Sequence, residues 1–437
     1  MSSYKITQVV ARQVFDSRAN PTVEVDVMLE CGAMGRGTVP SGASTGIYEA
    51  LELRDGDEKR FGGKSVSKAL DNVRNILAPA IIGMDATDQA AIDSKMTALD
   101  GTAAKSNLGA NAILGCSLAV AWAAANAARQ PLFRYLGGHA AKTLPVPMIQ
   151  IIGGGAHAVG SVDIQDYLVV PMSAASFEQG FEMVVNVYNA TKKVFAKAGK
   201  PLSTADEGGF WPSGFKSNEE GLALITEGIA AAGYKPGDDV AIALDIASSE
   251  FYNKDKETYS LHLENLELSR EKFVDLLCDW VDKYPIISIE DGSSELDWDG
   301  AVMLTKKLGS RIQLVGDDLF TTNIPRIREG VERGACNAVL IKINQIGTLT
   351  ETLDAIEYTK SVGYLPVVSA RSGETEDCSI AHLAVAANCG QLKVGSVARG
   401  ERTVKWNETI RIEQLLGKYG TYPSGDIFKR ITIVKQL

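Results

Sequence analysis

Six short apolar runs between residues 240 and 395 constrain this chain more than any other feature: "VAIALD", "IISIED", "IQLVGDD", "AVLIK", "LPVVSAR" and "QLKVG". Each is too short for a helix and lacks the alternation of a half-exposed strand, so each reads as a strand buried on both faces, as in a parallel sheet. Their last polar residues are Asp245, Glu290, Asp317, Lys342, Arg371 and Lys393. Most are separated by about 22 to 30 positions, room for one crossover helix and a return, which is the rhythm of a (β/α) barrel. Two earlier runs, "LPVPMIQII" and "IQDYLVVP", together with "LSTADEGG", bring the strand number to about eight or nine, enough to close the barrel. The stretch "SSEFYNKDKETYSLHLENLELS" breaks the rhythm and reads as a polar excursion.

The first third of the chain has a different texture. Residues 4–39 alternate apolar and polar, as antiparallel strands do, and lead through the Gly/Ser loop "VPSGASTGIYEA" into helical periodicity in "SVSKALDNVRNILAPAI", "DQAAIDSKMTAL" and "NAILGCSLAVAWAAANAAR". The punctuation in "YLGGHAAKTLPVP" places a boundary there. The expected fold class is therefore α/β, with an α+β capping domain at 1–138 and a barrel domain at 139–437.

Charge narrows the partners. With 44 basic and 54 acidic side chains the sum is −10, and no basic run stands out, so neither nucleic acid nor an anionic membrane is the expected partner. No run of 18 apolar residues reads as a membrane span. The six cysteines show no CxxC spacing and the N-terminus "MSSYKITQVVARQVF" lacks a signal pattern. A reducing cytoplasm is the expectation, with the thiols acting as small buried hydrophobes.

In a barrel, charged residues that end strands converge on the C-terminal mouth. Three acids from successive strands, Asp245, Glu290 and Asp317, would repel one another there, and a divalent cation resolves the repulsion; all-oxygen ligands select a hard ion such as Mg²⁺. The plainer alternative is that the acids are hydrogen-bonded to helix N-termini or paired with the lysines. Lys342 and Lys393 follow, and a lysine beside a metal and a second cation is pushed towards the neutral amine, which can take a proton from carbon. Arg371 and Ser372 offer a guanidinium fork and a hydroxyl, the donors a phosphate wants. "SGASTG" (41–46) suits a lid, "GGGAHAVG" (153–160) carries His157, and "ADEGG" puts Glu207 at a strand end where it could protonate a departing hydroxide.

"PSGASTG", "DEGG", "ALDIASSEF", "SIED", "GDDL", "KINQIGT" and "RSGETED", in that order, resemble the enolase family, from "DSRANPTVEV" to "RGERTVKWNETIRIE". The resemblance implies Mg²⁺-dependent dehydration of 2-phosphoglycerate, or a close analogue, to phosphoenolpyruvate through a metal-stabilised enediolate, an N-terminal α+β cap on an enolase-type (β/α)8 barrel whose first strands run partly antiparallel, two Mg²⁺ per site, and a homodimer or higher homo-oligomer. By residue it implies Asp245, Glu290 and Asp317 as ligands of the first Mg²⁺, Ser44 as a ligand of the second beside the substrate, Lys342 as the base at C2, and Glu207 as the acid. Asp166 and His157 join the catalytic set, with Arg371 and Ser372 on the phosphate and Gln165 and Lys393 lining the site.

This chain departs from the family pattern at five positions: Ala370 where the family carries His, Asp166 for Glu, Gly153 for Asn, Gly292 for Pro and Tyr48 for His. A carboxylate misplaced by about 1 Å can cost about a hundredfold in rate, so Asp166 predicts slow turnover. The volume freed at Ala370, Asp166 and Gly153 predicts room for a larger electrophile, which admits a second reading as a phosphonate-pathway transferase such as carboxyphosphonoenolpyruvate synthase. A third is a non-catalytic binding protein.

Overall fold

The computed structural model describes residues 3–43 and 45–430. Ser44, assigned above to a second cation, lies outside the described residues. Strands Ile6–Phe15, Pro21–Leu29 and Met34–Thr38 form an antiparallel meander. Alternation sorts its faces: Val23, Val25 and Val27 are fully buried against the helix Ala110–Ala127, while Glu24 and Asp26 face Arg12 and Arg36 on the other side. The helix lies so close that a Cβ on Gly35 would meet the Ala123 nitrogen at 2.1 Å, so only glycine admits this packing. That helix is long and apolar enough to cross a membrane by length and composition, yet 83% of it is buried inside the fold.

Eight strands close the barrel: Val146–Gly153, Asp166–Pro171, Val240–Asp245, Ile286–Glu290, Gln313–Gly316, Ala338–Ile341, Leu365–Ser369 and Gln391–Gly395. The last pairs in parallel with the first, Gln391 against Val146. The second runs antiparallel to both neighbours, with Gly153 opposite Asp166 and Asp166 opposite Asp245. Inward-facing Val146, Met148, Leu168, Val170, Leu340 and Val367 fill one end of the barrel, and Ile427 and Phe428 pack onto them. Apolar filling at that end leaves the polar inward positions to the other, where the strands' C-termini lie.

Two expectations are corrected. The "polar excursion" is an ordered antiparallel sheet of Tyr252–Asn253, Thr258–Leu261 and Leu266–Ser269, in which Tyr259 is buried and stacks on Phe273; its apolar residues alternate, but the charged turns mask the pattern. The cysteines are not uniformly buried. All six are free; Cys116 and Cys389 are buried, and burial pushes both thiols up to about 12, whereas Cys31 is exposed.

Candidate active site

Register brings the acids of the parallel strands together. Glu290 stands opposite Asp245 on neighbouring strands, Asp317 follows the fifth strand by one residue, Lys342 the sixth by one, and Arg371 the seventh by two. Lys393 does not end its strand, as expected from the sequence, but sits in its middle. From there its ammonium reaches up to Asp245 at 2.7 Å, to Glu290 at 2.8 Å and towards Asp166 at 3.5 Å. Lys342 bonds to Asp317, which also accepts from the Gln345 amide at 2.8 Å. The acids and lysines are thus paired, the plainer arrangement left open by the sequence.

The electrostatics follow from this pairing. Burial raises the Glu290 carboxyl well above its usual range and Asp245 raises it further, with Lys393 opposing. For Lys342, burial works against the charge, but Asp317 outweighs it and the amine's pKa is raised. Asp317 thus favours the charged lysine, whereas the neutral amine expected from the sequence requires a cation to take up the Asp317 carboxylate.

Across the mouth the antiparallel strand and its flanking loops carry a second group. Asp166 is fully buried and accepts from the Gln150 amide, and the His157 Nδ1 lies 2.9 Å from it. The His157 Nε2 lies 3.8 Å from Glu207. Burial opposes charge on His157, yet Asp166 and Glu207 overcome it and lift the imidazole to about 9. Burial raises Glu207, with His157 and Arg402 opposing, which favours the protonated acid. Glu207 sits in the turn between Leu202–Thr204 and Phe210–Pro212. Gln165 donates to Asp245 at 3.1 Å. Its own oxygen, and Oδ2 of Asp166, are buried acceptors without a hydrogen-bond partner, and both residues line the central cavity with His157, Glu207, Asp245, Lys342, Arg371, Ser372 and Lys393. The unpaired Gln165 oxygen and the Asp166 and Asp245 carboxylates give this cavity oxygen donors that fit a hard divalent cation.

The Arg-Ser pair lies where the cap meets the barrel. The Ser372 hydroxyl accepts from the Ala43 N–H at 2.7 Å, and its own chain is held by Arg402, which donates to the carbonyls of Arg371 and Ser372. Arg371 faces Glu49 and the Asn344 side-chain oxygen, both at 2.9 Å. Sequence reasoning missed Glu49, Arg402 and Asp291. Asp291 accepts the N–H groups of Asp317 and Asp318 at 2.8 and 2.9 Å and so fixes the loop that presents Asp317; its place directly after Glu290 in "SIEDG" was an available signal. Nothing local marks Glu49, because its partner is more than three hundred residues away.

Of the positions expected to free volume, Ala370 and Asp166 line the cavity and Gly153 does not. A Cβ on Gly153 would meet that of Ala205 at 2.6 Å, one on Gly292 would meet Leu304 at 2.6 Å, and Asp166 is closed in by Gln150 and His157. Tyr48 is not a truncation, since its ring stacks under the Arg326 guanidinium at 3.6 Å. The room expected at Gly153 is therefore taken up by Ala205, while Ala370 and Asp166 face the cavity.

Comparison with known proteins agrees along the whole length. Residues 6–136 match the family model described as enolase, N-terminal domain, and residues 141–431 the model described as enolase, C-terminal TIM barrel domain. The chain belongs to the enolase family. Enolase 1 of Desulfitobacterium hafniense (strain Y51) is 65% identical over 428 residues, which is 98% of either chain. A full-length enolase likeness at this level favours neither the transferase nor the non-catalytic reading.

Proposed function

We propose that the mouth of this barrel carries out the enolase reaction with the residues that line it. The chain is a carbon–oxygen lyase that dehydrates 2-phosphoglycerate to phosphoenolpyruvate, with the Mg²⁺ dependence general to enolases. The observation that carries the assignment of roles is the convergence of Lys342 and Glu207 on one cavity from opposite walls, because dehydration needs a base at one carbon and an acid at the next.

Asp245, Glu290 and Asp317 would hold the first cation, and Ser44 a second. A bound cation supplies positive charge where the substrate carboxylate gains electron density as C2 loses its proton. Lys342 takes that proton once its amine is free of it, and Glu207, whose pKa burial raises, delivers one to the departing hydroxide. His157 bridges Asp166 and Glu207 and orients the acid. Arg371 and Ser372 bind the phosphate, while Gln165 and Lys393 hold Asp245 in place. Residues 1–138 serve as the cap and 139–437 as the barrel domain, in a cytoplasmic homo-oligomer working in glycolysis.

The test is the absorbance of phosphoenolpyruvate formed from 2-phosphoglycerate, with Mg²⁺ and with chelator. A Mg²⁺-dependent rate is expected; a rate equal to buffer in both would refute the reading.

A further inference from the structure

The phosphate-binding arginine is already occupied by a carboxylate of the protein. Glu49 Oε2 accepts from Arg371 Nη1 at 2.9 Å and Glu49 Oε1 from Nη2 at 3.2 Å, the parallel two-bond geometry with which a guanidinium recognises a carboxylate or a phosphate. Both side chains are buried. The same Glu49 oxygen accepts the Gly46 N–H at 3.1 Å and closes the turn at the end of the Gly/Ser loop. The adjacent Ile47 N–H donates to Glu295 at 3.0 Å, and Tyr48 is stacked under Arg326, so this short segment is tied to the barrel at consecutive residues.

The pair stands between two spaces. On its cap side is a cavity of about 340 Å³ lined by Gly42, Thr45, Gly46, Glu49, Asn344 and Arg371. On the other is the central cavity, of about 20 Å³, enough for about one water molecule. Arg371 lines both. Glu49 lines only the cap-side cavity, and from there it occupies the guanidinium fork that a phosphorylated acid would need.

We propose that Glu49 is an internal stand-in for the substrate phosphate, holding the Arg371 fork until a phosphorylated ligand displaces it and frees the 46–49 segment. The proposal deepens the reading of Arg371 as the phosphate clamp and rests on it. A phosphate carries up to about two negative charges against one for a carboxylate, so it wins the fork, whereas a non-phosphorylated hydroxy acid meets a guanidinium that is already satisfied. Glu49 thereby makes the site selective for dianions, and the apparent affinity for phosphate is reduced by the fraction of molecules in which the pair is closed.

Calorimetric titration of the full chain with inorganic phosphate, in the presence of Mg²⁺, tests this. Glu49→Gln keeps the shape and removes the charge, and is expected to bind phosphate about tenfold more tightly than the parent; Glu49→Asp, one methylene too short to span the fork, is expected to gain less. The KM for 2-phosphoglycerate is expected to fall in the same order. Phosphate affinity unchanged or weakened in both variants overturns the proposal. Arg371→Ala separates the two claims: if it abolishes phosphate binding while the Glu49 variants gain nothing, the stand-in fails and the clamp survives; if phosphate binds undiminished to Arg371→Ala, both fail.

Discussion

The two walls of the barrel mouth solve the same problem, burying charge next to a substrate, in opposite ways. On the parallel wall, Asp245, Glu290, Asp317, Lys342 and Lys393 come from or directly after strands in register, and acids alternate with ammonium groups at hydrogen-bond distance. On the antiparallel wall, one imidazole serves two carboxylates, and its partners come from a strand start and a turn. The first wall is organised by backbone periodicity and the second by side-chain hydrogen bonds. The difference teaches where each wall is vulnerable: the parallel one through loss of a charge, the antiparallel one through loss of fit.

Removing a charge from the parallel wall should therefore have the largest effect. Lys342→Ala is expected to lower kcat by about 10³-fold, within the range for a positioned proton-transfer group, and to abolish exchange of the C2 proton with solvent. Exchange at the parent rate would take the proton transfer away from this lysine. On the antiparallel wall, Asp166→Asn removes the charge facing His157 but keeps the shape, so a smaller fall is expected than the cost of about a hundredfold for a misplaced catalytic group. Should Asp166→Asn cost as much as Lys342→Ala, the two walls would have to be treated as one network.

The same contrast decides what could be read in advance. Strand-end residues spaced by one βα unit announce themselves, which is why the closed barrel and the parallel-wall residues were legible from the sequence. Lys393 was found but put at its strand's end, because length alone does not fix register. Residues of the antiparallel wall carry no periodic signal: His157 was marked only by its Gly-rich stretch, and Gln165 was reached only through the enolase resemblance. Glu49 was not reached at all, since a contact between the cap and a distant strand end leaves no local trace. Charge state was the least legible. The charged form is favoured on Lys342 because Asp317 is its partner, and partnership is a matter of three-dimensional packing.

A smaller effect tests whether the imidazole really holds its wall together. The pKa of His157 is raised from about 6.5 in a free chain to about 9 in the fold. Its protonated form is thus the one the fold favours, so this stabilisation is complete below about pH 6.5 and is lost as the pH rises through about 9. Thermal melts at intervals across that window should show Tm falling with pH, and His157→Gln should flatten the slope. A slope identical in the variant would mean that other groups set the alkaline limit.

The smallest expected effect concerns packing alone, and it separates a closed wall from an open one. If Gly153 were a gap left by a missing side chain, asparagine there would be accommodated. Its Cβ would instead stand 2.6 Å from that of Ala205 and 3.3 Å from the Gln150 amide that supports Asp166. Gly153→Asn should cost about 1–3 kcal/mol, as overpacking does, and Ala205→Gly in the same chain should recover most of it, because the clash is with that one methyl group. Chemical denaturation of the single and double variants measures both numbers. Full tolerance of the single change would show that the antiparallel wall yields where the contacts say it is tight, and the room expected at Gly153 would then exist after all.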